Sequence, residues 1–228
     1  MYVLVLILGI FMFSSAYENL ALRKPAWQSS THNSTVSGPE KAVDGSKTDL
    51  SYTGQKCSVS ADKRRNATWW VNLTDIVSID YIVIYYRTDN VAWVPSNQYT
   101  GRFMGFYVYI SNTTNKEDGH LCFHDRNYTR GTIPAVANIT CPFHGQYVIY
   151  YNERPVRDSY TTGPSTYAFI ELSEVEVYGC SSPRRYGSDC SEVCPTNCKE
   201  YCNIESGNCL QCFPGYRGDR CDQGRKSK

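Results

Sequence analysis

The chain has 228 residues, room for one large domain or two small ones. Its 23 Lys and Arg balance 22 Asp and Glu to a formal net charge of +1, which argues against a nucleic-acid binder, since such proteins concentrate basic residues on one face. The local clusters Lys63-Arg64-Arg65 and Arg184-Arg185 read as solvated loops.

Tyr2 to Phe13 is a run without a charged side chain, too short to span a bilayer as a helix, followed by the small residues Ser14-Ser15-Ala16. Residues 1–16 therefore read as a secretory signal peptide. No second long apolar stretch follows, so no membrane span is expected and the chain is read as secreted. Asn-x-Ser/Thr sequons at Asn33, Asn66, Asn72, Asn112, Asn127 and Asn138 fit that route as glycosylation candidates, with Asn72 inside an apparent strand.

Cysteine placement divides the remainder. Only Cys57, Cys122 and Cys141 precede Cys180, whereas eight cysteines crowd between Cys180 and Cys221. A segment that short buries little apolar surface, and covalent staples replace the missing core in an oxidising compartment. The boundaries read as a first domain over 17–179, a cysteine module over 180–223 and a polar tail over 224–228.

Within the first domain, runs rich in Tyr, Val, Ile and Phe, bounded by Asn, Asp, Gly, Ser or Pro, predict strands. The clearest cover 69–73, 79–87, 103–111, 145–152 and 168–178. In Phe106-Tyr107-Val108-Tyr109-Ile110 the alternation puts Phe106, Val108 and Ile110 on one face and the two tyrosines on the wetter one. The fold class expected is all-β: an antiparallel β-sandwich. Residues 89–101, with Asn90, Pro95, Ser96, Asn97 and an exposed-looking Trp93, lack a strand pattern and form a candidate binding loop.

Asn19-Leu20-Ala21, Lys41-Ala42-Val43-Asp44-Gly45, Trp69-Trp70-Val71-Asn72-Leu73 and the closing stretch from Glu171 to Tyr178 occur in an order that resembles the F-type lectins, the fucolectin and tachylectin group related to discoidin domains. The resemblance spans about 18–179 and implies a jelly-roll sandwich. It also implies a structural calcium ion, held by the side chains of Asp44 and Glu174 and the backbone carbonyls of Lys41, Ser46 and Ser173, oxygen donors of the kind calcium prefers. Without an ion, Asp44 would shape a turn with Gly45 and Glu174 would be a strand residue.

Fucose recognition in the family resembles a clamp of one His and two Arg, with an Arg-x-Asp tripeptide at its mouth. Arg87-Thr88-Asp89 reproduces the tripeptide, but the second Arg comes only as Arg102, after the long insertion, and Val59 stands where the clamp His is expected. A clamp missing a donor leaves ligand hydroxyls unpaired at about 1–3 kcal/mol each, which argues against fucose itself. Arg87, Asp89 and Arg102 are the candidate ligand-binding residues; otherwise they make a salt bridge at a strand end.

The family pattern further implies a Cys122–Cys141 disulfide, worth roughly 3 kcal/mol in the chain-entropy model. In many relatives the cysteine matching Cys57 pairs with one at the position of Ser173, so Cys57 reads as unpaired, which suggests a lost bridge or an intermolecular one. The cysteine spacing after Cys190, with Gly215-Tyr216-Arg217-Gly218 in the last interval, resembles the EGF-like repeats of multiple-EGF and scavenger receptors. That resemblance implies Cys194–Cys202, Cys198–Cys209 and Cys212–Cys221, with Cys180–Cys190 as the last pair of a preceding repeat. Arg217-Gly218-Asp219 spells an integrin-recognition tripeptide, better explained by the glycine the hairpin needs.

No convergent nucleophile, base and orienter stands out, and His32, His120, His124 and His144 follow no zinc spacing, so no enzyme is expected. The leading reading is a secreted or cell-surface lectin-like protein binding glycans or glycoproteins. The alternative is an adhesive or receptor ectodomain that has lost sugar binding, either truncated or a secreted relative of a multiple-EGF receptor. The oligomeric state stays open.

Overall fold

A computed structural model describes residues 17–155 and 163–224; the expected signal peptide, 1–16, and the last four residues of the polar tail lie outside them. The strands run in the order β1 (Glu18–Asn19), β2 (Ala26–Gln28), β3 (Ser58–Val59) and β4 (Asn66–Tyr86), with a 3-10 helix at Pro39–Val43 between β2 and β3. A short helix, α1 (Gln98–Phe103), precedes β5 (Tyr107–Ser111), β6 (His120–His124), β7 (Val136–Thr140), β8 (His144–Glu153) and β9 (Glu171–Cys180). All pairings among them are antiparallel, and the path β1-β9-β4-β8-β5-β6 is extended by β2 and β7 on β4 and by β3 on β9.

β4 holds both layers together. Its first part, Asn66–Asn72, pairs with β2 and β8, and its last part, Ser78–Tyr86, pairs with β9 and β7. The ladder with β8 shifts between Asn72 and Val77, where Thr74 takes a φ of 77° and Asp75 is exposed. The sequence predicts two strands here, 69–73 and 79–87, because Thr74-Asp75 reads as a break. The structure has one bent strand instead, since a polar pair at an irregularity can face water while the chain crosses to the other sheet.

Alternation fills the space between the layers. Trp69, Val71, Leu73, Ile82, Ile84 and Tyr86 of β4 point inward with Val108, Ile110, Val148, Tyr150, Val175 and Val177. Phe106, Val108 and Ile110 are fully buried while Tyr107 and Tyr109 stay half-exposed, as the pattern predicts. The predicted strand over 103–111 is corrected at its start: Phe103 closes α1, and the chain turns through Gly105, whose φ of 75° suits a residue without Cβ, before β5 begins at Tyr107. Phe103 still serves the core, stacked between Tyr86 and Phe106 at centroid distances of 4.2 and 4.4 Å.

Cys122 pairs with Cys141, linking β6 to the end of β7. Beyond β9 the chain is held by Cys180–Cys190, Cys194–Cys202, Cys198–Cys209 and Cys212–Cys221, around the two-residue ladders of β10 (Arg185–Tyr186) with β11 (Glu192–Val193) and β12 (Tyr216–Arg217) with β13 (Gln223–Gly224). Gly218 has a φ of 87°, which accounts for the glycine of the exposed Arg217-Gly218-Asp219. Tyr201 of this part stacks on His144 of β8 at 4.7 Å.

Candidate functional site

The first residue of β9 organises the site. Glu171 is 1% exposed, and its Oε1 accepts from Arg102 at 2.6 Å and from Arg87 at 3.0 Å. Arg87 follows β4, and Arg102 lies in the last turn of α1. Burial pushes the Glu171 carboxyl upward, and the charges of Arg102 and Arg87 oppose it. Burial likewise works against ionising Asp89, but hydrogen bonds from Arg87, Tyr99 and the Tyr52 amide hold it down at about 2. Asp89 has a φ of 52°, unusual for a side-chain-bearing residue, and its carboxylate takes Nε and Nη2 of Arg87 in a two-pronged bond of 2.6 and 2.7 Å.

The two arginines are not equivalent. Arg87 also donates to the Tyr99 hydroxyl at 3.0 Å, and Tyr99 in turn donates to Asp89, so four of its five N–H groups are engaged. Arg102 spends one N–H on Glu171 and one on Gln98 at 3.3 Å, which leaves most of its donors available. Aromatic rings flank both: Arg87 lies 5.2 Å from the Tyr52 ring and 4.7 Å from that of Tyr99, and Arg102 lies 4.4 Å from Phe169.

Together they line a pocket of about 210 Å³ with His32, Tyr52, Val59 and Gln98. Val59 is indeed present in the wall, and a histidine reaches the same pocket from another element. The His32 amide donates to the Val59 carbonyl at 2.9 Å, and its exposed ring meets Tyr52 edge-on at 5.6 Å. The sequence reading passed over His32, Tyr52, Tyr99 and Glu171. Only a ladder register could have brought them together, because His32 and Glu171 are far apart in the chain.

The insertion over 89–101 forms the rim of a second, more open concavity of about 580 Å³, which shares Gln98 and Tyr99 with the arginine pocket. Val91 and Val94 are exposed on it. Trp93 corrects the expectation of an exposed ring: it is half-buried, packs on Tyr86 at 6.3 Å and donates its indole N–H to the Ile133 carbonyl at 2.7 Å. It anchors the loop and leaves recognition to the residues around it.

The other predicted cluster lies around Gly45. Lys41 is in the 3-10 helix, and Asp44 ends it. The Gly45 amide faces both carboxylate oxygens of Glu174 at 3.1 and 3.2 Å, which places Asp44 beside Glu174 across the sandwich edge. Burial pushes Glu174 up to about 8, and the charges of Asp44 and Glu176 add to the rise. Lys47, the nearby base, is paired with Glu176 at 2.7 Å, while Asp44 faces Lys56 at 3.8 Å and accepts from the Ser46 amide at 2.8 Å. A fully buried carboxylate with so little compensation is what a hard cation would neutralise. Among the described residues no three His, Cys, Asp or Glu side chains converge, so a cation here would need backbone carbonyls such as those of Lys41, Ser46 and Ser173 to complete its shell. The Ser173 side chain is engaged elsewhere, with its Oγ 2.9 Å from Sγ of Cys57.

These features define an all-β sandwich of the type found in lectin modules. One solved structure with this fold is an F-lectin (fucolectin) from the serum of striped bass, Morone saxatilis, 25% identical with a TM-score of 0.55 over 72% of this chain and 49% of that one. The chain thus spans about half the length of that relative. A fucose binding module of Streptococcus pneumoniae has 20% identity and a TM-score of 0.51, over 71% of this chain and 95% of its own. A mutant of the lectin binding domain of lectinolysin, complexed with Lewis b, has 24% identity and a TM-score of 0.51 over the same shares, 71% and 95%. All three are carbohydrate-binding modules, not catalytic domains. No family model matches the chain, and no curated protein matches it in sequence.

Proposed function

We propose that this chain is an extracellular lectin-like recognition protein that binds a glycan at the pocket between Arg87, Arg102 and His32. The observation that carries this reading is the convergence of two guanidinium groups on buried Glu171 beside the rings of Tyr52 and Tyr99. A sugar needs hydrogen-bond donors for its hydroxyls and an apolar surface for its C–H face, held rigidly enough that neither is reorganised on binding. Arg102 supplies the donors, His32 a further polar group, and Tyr52 the ring. Fucose, the sugar in the name of one neighbour, is not favoured, because His32 stands on a different element from Val59 and the pocket is edged by the insertion.

In the same reading, calcium held by Asp44 and Glu174, with carbonyl oxygens of Lys41, Ser46 and Ser173, fixes the edge of the sandwich. The segment over 180–223 is an EGF-like module that spaces the lectin unit from its surroundings. Among the described residues no helix is long and apolar enough to cross a membrane, and five disulfides fit an oxidising compartment. The test is a glycan array run with and without calcium: a defined set of sugars bound by the native chain and lost in Arg102→Ala supports the proposal.

A second reading, an adhesive or receptor ectodomain acting through protein contacts, is favoured by how fully Arg87 is engaged by Asp89, Glu171 and Tyr99. An array with no bound sugar, together with retained binding to cells, would select it.

A further inference from the structure

The outer face of the sheet formed by β2, β4 and β8 is aromatic. Trp27 of β2 lies opposite Trp70 of β4 in the ladder, with ring centroids 5.9 Å apart and planes 20° from parallel. Trp70 meets Tyr147 of β8 edge-on at 5.5 Å. Trp27 is 46% exposed and the other two rings are half-buried. Such a contiguous apolar surface on a solvated sheet calls for a partner.

Asn72 stands within it. The register with β8 puts Asn72 opposite Tyr147, and it follows Trp70 by two residues, so both side chains leave the same face about 7 Å apart along the strand. Asn72-Leu73-Thr74 is an N-glycosylation sequon. The Asn72 side chain accepts from the Thr74 amide at 2.8 Å and from Gln146 Nε2 at 3.0 Å, both at Oδ1. These bonds fix the amide plane, and among the described residues Nδ2, the atom that would bear a sugar, makes no hydrogen bond of its own. The strand bends immediately afterwards, which leaves Thr74 exposed at a corner.

We propose that Asn72 carries an N-linked glycan whose first N-acetylglucosamine lies over Trp70, flanked by Tyr147 and Trp27, so that the chain's own sugar covers this face. The proposal rests on the extracellular route put forward above. In that route the donor is an oligosaccharide linked to a lipid diphosphate: its sugar C1–O bond breaks, a C1–Nδ2 bond forms, Nδ2 gives up one proton and the lipid diphosphate leaves. The pyranose then sets its C–H face on the indole and keeps its hydroxyls in water, which is why an amphipathic ring system suits it better than an aliphatic patch. The strand holds Trp70 and Asn72 in place beforehand, so the contact costs little ordering of the protein.

The full chain, produced in secreting eukaryotic cells, is mapped for site occupancy by glycopeptide mass spectrometry, and its glycans are trimmed to the single protein-linked sugar. The expected results are an occupied Asn72, an N-acetylglucosamine whose ring protons are shifted upfield in NMR by the indole, and a melting midpoint lowered by about 2–4 °C in Asn72→Gln. In a Trp70→Thr background the same Asn72→Gln change should cost less, the remainder being the lost bonds from Thr74 and Gln146. The NMR measurement needs no Trp70 variant and so decides the matter even if that variant does not fold. Asn72 unmodified while the exposed Asn33 and Asn127 carry glycans overturns this proposal alone, and so does an occupied Asn72 whose sugar shows no upfield shift. Glycan-free sequons throughout would overturn it together with the extracellular route.

Discussion

Cys57 Sγ lies 2.9 Å from Ser173 Oγ in the buried space between β3 and β9. Burial pushes the thiol up to about 11, with the Ser173 hydrogen bond partly opposing, so it is protonated at neutral pH and a poor nucleophile. The native chain should therefore resist alkylation at Cys57 and react once unfolded. Ser173→Cys should close a disulfide across a sequence separation of 116 and raise stability by about 2–4 kcal/mol. Guanidinium midpoints of the variant with and without reductant check this; identical midpoints would show that the two sulfurs do not pair.

The two pocket arginines should separate binding from stability. Arg102→Ala removes the better exposed donor set and leaves Glu171 paired with Arg87, so glycan binding should be lost in an otherwise folded chain. Arg87→Ala removes the partner of Asp89, Tyr99 and Glu171 at once. Breaking a buried pair from one side costs about 3–5 kcal/mol, so that variant should show a clear drop in its denaturation midpoint. Equal midpoints for the two variants would contradict this division.

The sequence made the sandwich legible because period-two alternation survives wherever one face is buried, as in Phe106 to Ile110. It hid the bend of β4, because a polar Thr74-Asp75 at a corner and a polar pair ending a strand have the same composition. The arginine pair was visible through the Arg87-Thr88-Asp89 motif. Its centre, Glu171, was not, since an acidic residue opening a strand ordinarily faces water, and only the β4–β9 pairing brings it beneath Arg87. His32 was hidden for a similar reason: its place in the pocket follows from a backbone bond to Val59.

Glu174 gives the calcium proposal a stability readout. An ion bound to the native state alone stabilises by about 2.7 kcal/mol at a hundredfold excess over its dissociation constant. Chelation should lower the melting midpoint of the native chain accordingly. Glu174→Gln takes away the buried carboxylate that would face the ion, so this variant should melt at the same temperature with calcium or chelator. A calcium response that persists in Glu174→Gln would place the ion elsewhere.

His144 should make the chain acid-sensitive in a defined window. Its Nε2 is buried without a partner among the described residues, its ring stacks on Tyr201, and burial pulls its pKa down from 6.5 to about 4, with a hydrogen bond to the Cys202 backbone opposing. Folding therefore favours the neutral ring. Between these values the unfolded chain binds the extra proton, so stability is complete above about pH 6.5 and falls as the pH drops toward 4, below which both states are protonated and the loss levels off. His144→Phe keeps an aromatic ring against Tyr201 and cannot take up a proton. The difference in urea midpoint between variant and native chain should therefore widen in favour of the variant from pH 7 to pH 4, and a constant difference would mean that His144 titrates as it does in the unfolded chain.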